Sequence, residues 1–439
     1  MTTQIFVGID VAKNKHDVAI ADHNFTFLRK KFTFSNNLDA YHSFTDLLDS
    51  LASKDLISIG MEVTGNYGLN LYKRLRHDGY HAIMIPPESV THFRKYKGLP
   101  KSDKIDAKLI TEILYRKEAK SCWIPKNGYD ELKQYIHRRN QVNKMLTQEK
   151  TRLISLIDVV FPDIQHVLSF NTMLAVLTSY PTPNSIIDAD VMKLQDIIYQ
   201  SSKHRLGKDK TVELVNAAKN SIAFDVDHTY YHNCLLSMID SIHHLKVQVK
   251  NLDTMIDTIA RRFPVYHKLL SLPGCGITTA AVIIAELGDI SRFSSGSQIV
   301  SFSGIYSNNK LSGDSVHSDG KMAKRGSRTL RHALYMIAEF ARRKNPVLQD
   351  YFTRKKQGKR NRHCLAVNAV ANKLCHVIYS IMKNNQDYII YHKDIERLPE
   401  LTRKEFFQSI EINSSKSSRR KTYLYEDRNG EIHLFQYLK

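Results

Sequence analysis

Four carboxylates in the first quarter of the chain each stand where one secondary-structure element is read to end or begin, and this restricts the fold more than any other feature. Ile5-Phe6-Val7-Gly8-Ile9-Asp10 is an apolar run closing on an acid, followed by a turn and a second strand through His16-Asp17-Val18-Ala19-Ile20. A third run, Leu56 to Met61, delivers Glu62 just ahead of the turn-forming Thr64-Gly65-Asn66. Lys101-Ser102-Asp103-Lys104-Ile105-Asp106-Ala107 then opens a helix, and the i, i+3 spacing puts Asp103 and Asp106 on one face. Four oxygen donors converge if the sheet aims its strand ends at that helix. Such donors suit a pair of divalent cations about 4 Å apart, which clamp the charge that builds on phosphodiester oxygens during displacement. Mg²⁺ takes carboxylates, waters and phosphate oxygens. An acid at a strand end or helix start is also an ordinary solvated cap. It is the order strand-acid, strand-acid, helix-acid-acid that points to a metal site at Asp10, Glu62, Asp103 and Asp106.

The surrounding pattern predicts strands at Ile5–Asp10, His16–Ala21, Phe25–Phe34, Leu56–Glu62 and His81–Ile85, with helices around Tyr41–Leu51 and Gly68–His77. That is an α/β sheet with helices on both faces, its last strand ended by Pro86-Pro87. After Pro125 a long polar helix is expected from about Asp130 to Val160. Farther on, Leu235, Ile242, Val249 and Ile256 recur every seven residues, and Met238, Leu245, Leu252 and Ile259 do so three residues later. This a/d seam predicts a coiled coil within or between chains, the alternative being an amphipathic helix packed on a core. Pro181-Thr182-Pro183-Asn184 marks a turn, and Ser201 to Lys210 reads as a basic loop.

A formal net charge of +20 asks for a polyanionic partner, nucleic acid before membrane. No apolar run is read as approaching the roughly 18 residues of a spanning helix, and the start lacks a signal-peptide pattern. The expectation is therefore a cytoplasmic, nucleoid-associated protein. Five cysteines with no C-x-x-C pair fit a reducing compartment. Cys364 and Cys375, flanked by His363 and His376, could suggest zinc, but their spacing places both on one apolar helix face with Leu365, Val367 and Ala371, and core packing is the expectation.

Leu272-Pro273-Gly274-Cys275-Gly276 between two helical patterns reads either as a helix-hairpin-helix-like segment aiming N–H groups at phosphate or as a plain helix connection. From Ser301 to Gln386 there are 17 Lys and Arg against 4 Asp and Glu, clustered in three runs that would release many counterions from a nucleic-acid backbone. Tyr423 to Tyr437 reads as a hairpin around Arg428-Asn429-Gly430.

Several of these motifs together resemble a known family. Val7-Gly8-Ile9-Asp10-Val11-Ala12-Lys13, Glu62-Val63-Thr64-Gly65-Asn66-Tyr67, Asp103-Lys104-Ile105-Asp106-Ala107, the Leu272–Gly276 turn, Phe302-Ser303-Gly304, Leu311-Ser312-Gly313 and Lys324-Arg325-Gly326-Ser327-Arg328-Thr329-Leu330-Arg331 resemble the DEDD transposases of bacterial insertion sequences. This is the insertion-sequence one-ten family, also described as bridge-RNA-guided recombinases, and the likeness covers roughly residues 4–120 and 263–386. It implies an α/β RuvC-like (RNase H-like) catalytic domain over 1–120, a helical coiled-coil region over 125–262, a mostly α transposase domain over 263–386, and a C-terminal extension over 387–439. It further implies that Ser312 is a nucleophile, that Mg²⁺ sits on the four carboxylates, and that Lys321, Lys324, Arg325, Arg328 and Arg331 meet nucleic acid. The partners implied are donor and target DNA, a structured non-coding guide RNA, and further copies of the chain in a dimer or tetramer. The one departure inside the motifs is Ala323, where a small hydroxyl residue is expected. Two rivals remain at this point: a RuvC-type hydrolytic nuclease or junction resolvase, in which Ser312 is dispensable, and a non-catalytic nucleic-acid-binding scaffold.

Overall fold

A computed structural model describes residues 4–62, 67–100, 103–119, 121–125, 128–223, 229–306, 322–357, 362–400, 402–404, 423–426 and 430–435. The chain divides into two units, Met1–Ile124 and Pro125–Lys439.

In the first unit, alternation along β1 (Ile5–Val11) sends Ile5, Val7, Ile9 and Val11 to one face of a sheet and Phe6, Gly8 and Asp10 to the other. β2 (Lys15–Ala21) and β3 (Phe27–Ser35) continue antiparallel from it, while β4 (Ile57–Glu62) and β5 (His81–Ile85) run parallel to it, in the order β3-β2-β1-β4-β5. The parallel strands are reached through α1 (Leu38–Leu51) and α2 (Tyr67–His77), which bury Phe44, Leu48, Leu71 and Leu75 against Val7, Ile9, Val18 and Ile20. On the opposite face α3 (Pro87–Tyr96) and α4 (Asp103–Tyr115) bury Val90, Leu109, Ile110, Ile113 and Leu114 against Phe6 and Ile85. Pro87 occupies the first turn of α3, where no backbone donor is needed.

Gly8 sets how close α4 lies. A Cβ there would come 2.2 Å from the Ala107 carbonyl oxygen and 2.5 Å from the Thr111 nitrogen, so only glycine lets the helix rest on the strand. Thr111 Oγ1 donates across to the Ala19 carbonyl at 3.1 Å, and Phe6 meets Tyr115 edge-on at 5.5 Å. Ascending β1 from Phe6 to Gly8 thus means descending α4 from Tyr115 to Ala107. The first turn of α4 lies at the end of β1 that carries Asp10.

The second unit is built on two 32-residue helices, α5 (Tyr129–Val160) and a later helix over Thr229–Ala260, each about 48 Å long. Between them come α6 (Ile164–Val167), α7 (Phe170–Ser179), α8 (Pro183–Ile187), α9 (Val191–Ser201) and α10 (Lys208–Lys219), so the second long helix is α11. Thr182 and Ser185 cap each other's backbone at the expected turn, which starts α8. Arg139–Asp253 and Arg262–Glu131 ion pairs show that α5 and α11 run antiparallel. Leu235, Ile242 and Leu245 are buried with Val142, Leu146, Leu153 and Ile157 of α5 and with α7, α9 and α10. Met238, Val249 and Leu252 pack on the same core, and Ile256 and Ile259 enter a second one. The heptad seam is therefore covered inside the chain, and it gives no separate reason for an oligomer.

The second core gathers α12 (Val265–Leu270), α13 (Ile277–Leu287), α14 (Gly296–Ser303), α15 (Arg328–Ala341), α16 (Pro346–Lys356) and α17 (His363–Asn384). By length and average composition α17 could cross a membrane, although His, Asn and Lys interrupt its apolar residues. Its buried face, Ala366 to Met382, is instead part of this core. Cys375 lies in that core, whereas Cys364 and Leu365 are exposed, because the first turn of α17 lies outside it. A small sheet of β6 (Ile389–Tyr391), β7 (Tyr423–Glu426) and β8 (Ile432–Phe435) follows, with α18 (His392–Ile395) after β6; β7 and β8 pair antiparallel, as the hairpin pattern predicts.

Candidate active site

The register between β1 and β4 sets Ile9 beside Met61, so Asp10 and Glu62 come next to each other on neighbouring parallel strands. They share the face of Gly8 and Gly60, which α4 covers. The antiparallel register on the other side sets Asp10 opposite Asp17. Three carboxylates thus stand abreast on β2, β1 and β4, near the strand ends where α/β sheets commonly place ligands. Thr33 Oγ1 donates to Asp17 at 2.6 Å. Asp17 is a neighbour of Asp10 that sequence reading passed over; only the β1–β2 register singles it out.

Asp106, in the first turn of α4, is buried and ion-paired. Arg94 of α3 reaches its Oδ1 through Nη2 at 2.8 Å and Nε at 3.0 Å, with the two side chains 11% and 6% exposed. Arg94 is the second residue that sequence analysis missed, since nothing in the spacing from 94 to 106 announces a pair between two helices. Asp103 begins α4, but its side chain lies outside the described residues.

Among the described residues no group of three or more His, Cys, Asp or Glu side chains is close enough to hold a metal ion. The donor chemistry nonetheless suits Mg²⁺, since the carboxylates of Asp10 and Glu62 are hard oxygen donors on neighbouring strands. Asp106 could join through a carboxylate that both Arg94 contacts engage at Oδ1.

Ser312 and Lys321 lie outside the described residues; the base of their segment does not. Gly304 caps α14 at φ +70°, Gly326 precedes α15 at φ +103°, and the two backbones interlock. A Cβ on Gly304 would meet the Arg325 carbonyl oxygen at 2.0 Å, and one on Gly326 the Phe302 carbonyl oxygen at 2.0 Å. Ala323 N–H donates to Tyr306 O at 2.9 Å and Ser327 N–H to Phe302 O at 3.1 Å. The chain that leaves at Tyr306 therefore returns to the same point at Ala323. Ser327 then caps α15 through the Leu330 amide. Of the basic residues singled out, Lys324, Arg325 and Arg328 are exposed. Arg331 spends a guanidinium N–H on the Ser303 carbonyl at 2.8 Å and so ties α15 to α14.

A DEDD transposase model of the IS110 type matches residues 7–162, and the model described as "Transposase IS116/IS110/IS902 family" matches residues 266–353. Among curated proteins, the chain is 21% identical to an insertion element IS110 uncharacterized 43.6 kDa protein of Streptomyces coelicolor, over 88% of this chain and 95% of that one. It is 22% identical to a pilin gene-inverting protein of Moraxella bovis, over 88% and 98% respectively. It is 24% identical to the mini-circle putative transposase for IS117 of Streptomyces coelicolor, over 80% and 88%.

Proposed function

Since the chain belongs to the IS110 family of DEDD transposases, we propose that it cuts and rejoins donor and target DNA through Ser312, with Asp10, Glu62, Asp103 and Asp106 holding Mg²⁺ and a structured non-coding RNA choosing the sequences. The Ser312 hydroxyl bonds to phosphorus as the bond to the leaving sugar oxygen breaks, and the hydroxyl proton ends on that oxygen. The phosphoserine keeps the bond energy that rejoining needs. Mg²⁺, when bound, neutralises charge on the phosphate oxygens. Asp10 and Glu62 fix the ion from neighbouring strands, while Lys321, Lys324 and Arg325 hold the backbone near the serine segment. A site that joins the carboxylates of one protomer to the serine of another requires a dimer or tetramer.

The observation that carries this reading is the alignment of Asp10 with Glu62 beneath the first turn of α4. The test incubates the protein with element-end DNA, Mg²⁺ and the RNA transcribed from the flank, then denatures it and looks for a protein–DNA adduct. The adduct is expected with wild type and absent in Ser312→Ala and Asp10→Asn. Cleavage by Ser312→Ala but not Asp10→Asn would instead mean attack by water, as in a hydrolytic nuclease; full activity without RNA would remove the guide. Equal binding in chelator with no cleavage under any metal would leave a binding scaffold.

A further inference from the structure

The second unit carries a groove of about 640 Å³ between α5, α13 and α15 that the serine and carboxylate chemistry does not use. One wall is a stripe along α15 at four-residue spacing, Arg328, His332, Met336 and Phe340, about 18 Å from end to end. Asn140 and Asn143 of α5 form the other wall, and Ile277, Thr278 and Val282 of α13 the floor. Gly274, at φ +80°, allows this arrangement: a Cβ there would come 2.8 Å from the Ile337 carbonyl oxygen, so the turn before α13 can rest against α15. Arg139 at the edge is already paired with Asp253, which makes Arg328 the leading cation of the groove. Among the described residues no carboxylate lines it.

Two properties decide what fits. The lining is cationic and polar at one end, suited to phosphate. At the other end it is apolar, and unusually open for apolar groups: Phe340 is 49% exposed and Ile277 47% exposed. The Arg343 guanidinium lies 5.9 Å from the Phe340 ring centroid and is itself paired with Glu339. A duplex backbone has nothing to offer an exposed phenyl ring, whereas an unpaired base has a π-face for it and a phosphate for the arginine. We infer that this groove binds a stretch of single-stranded DNA, base against Phe340 and backbone along Arg328 and His332, holding a strand unpaired while the duplexes are exchanged. The inference rests on the reading that the chain recombines DNA, and it is independent of which nucleophile cuts.

Fluorescence anisotropy on the full chain, with a short dT oligomer, an rU oligomer of equal length and a duplex, tests it across a salt series. Phe340→Ala is expected to weaken dT binding about ten-fold and duplex binding by less than about two-fold. Phe340→Tyr should restore dT binding. Arg328→Ala should lower the slope of log affinity against log salt by about 1 for the dT oligomer. Equal losses on duplex and dT, or no loss on dT, overturn the inference. A loss confined to rU overturns it in favour of an RNA strand. Neither result bears on Ser312-dependent adduct formation, so the two readings fail separately.

Discussion

Replacing Gly8 by alanine tests whether the carboxylate site depends on how closely α4 lies against β1. The new methyl would sit 2.2 Å from the Ala107 carbonyl oxygen and 2.5 Å from both the nitrogen and Oγ1 of Thr111. Ordinary contact begins at 3.4 Å, and two of these atoms are backbone, so no rotamer change relieves the clash. The helix must lift by about 1 Å, which overpacking series put at about 1–3 kcal/mol. Losing the Thr111 bond to Ala19 adds about 1 kcal/mol. A unit of this size should then melt roughly 10–20 °C lower. Lifting α4 also carries Asp106 and the backbone of Asp103 away from Asp10, and a misplacement near 1 Å costs about 10²-fold in rate. Gly60→Ala is the internal comparison. Its Cβ would meet the side-chain ends of Ile85 and Leu114 at 2.9 Å, and these can turn aside. Thermal unfolding by circular dichroism and cleavage of labelled DNA measure both variants. A Gly8→Ala protein that melts and cuts like wild type, or a Gly60→Ala protein that suffers more, would refute the reasoning.

Arg94→Met should destabilise the protein by about 3–5 kcal/mol in urea titrations, because it strands a buried carboxylate, whereas Arg94→Met/Asp106→Leu should recover most of that loss; an additive double mutant would show the pair to be unimportant. His16 is buried against Phe34, and burial, opposed in part by the Asn36 side chain and the Asp17 charge, holds its pKa below the usual 6.5. Its contribution to stability is therefore fully present above pH 6.5 and is lost as pH falls through 6.5 toward the lowered folded value. His16→Phe should flatten stability across that interval, and an unchanged pH profile would sink the argument. Burial pushes the Cys375 thiol up to about 12, so iodoacetamide should label exposed Cys364 in the native protein and reach Cys375 only after unfolding; early labelling of Cys375 by mass spectrometry would contradict the packing.

Local periodicity was enough to read the five strands of the first unit to within about two residues, because alternation and turn residues are written into neighbouring positions. It also placed Asp10 and Glu62 at strand ends. What it could not supply was register. That Asp17 faces Asp10, or that Arg94 meets Asp106, follows from how separate elements dock, and no spacing rule encodes it. The heptads from Leu235 to Ile259 show the same limit: the pattern specifies an apolar stripe but not its cover, and α5 together with the short helices supplies that cover. Cys364 and Leu365 share the helical phase of buried neighbours yet are exposed, since phase says nothing about where a core stops. The nucleophilic role proposed for Ser312 came wholly from family resemblance, since a serine carries no chemical mark of its own in sequence.

The clasp formed by Gly304 and Gly326 has a consequence for how such chains diversify. With Tyr306 and Ala323 pinned to each other, the helices on either side do not register how many residues are threaded between them. Loop-closure entropy rises only slowly with length, about 0.6 kcal/mol per doubling. Extra length inserted between those pinned ends would therefore cost the flanking helices little.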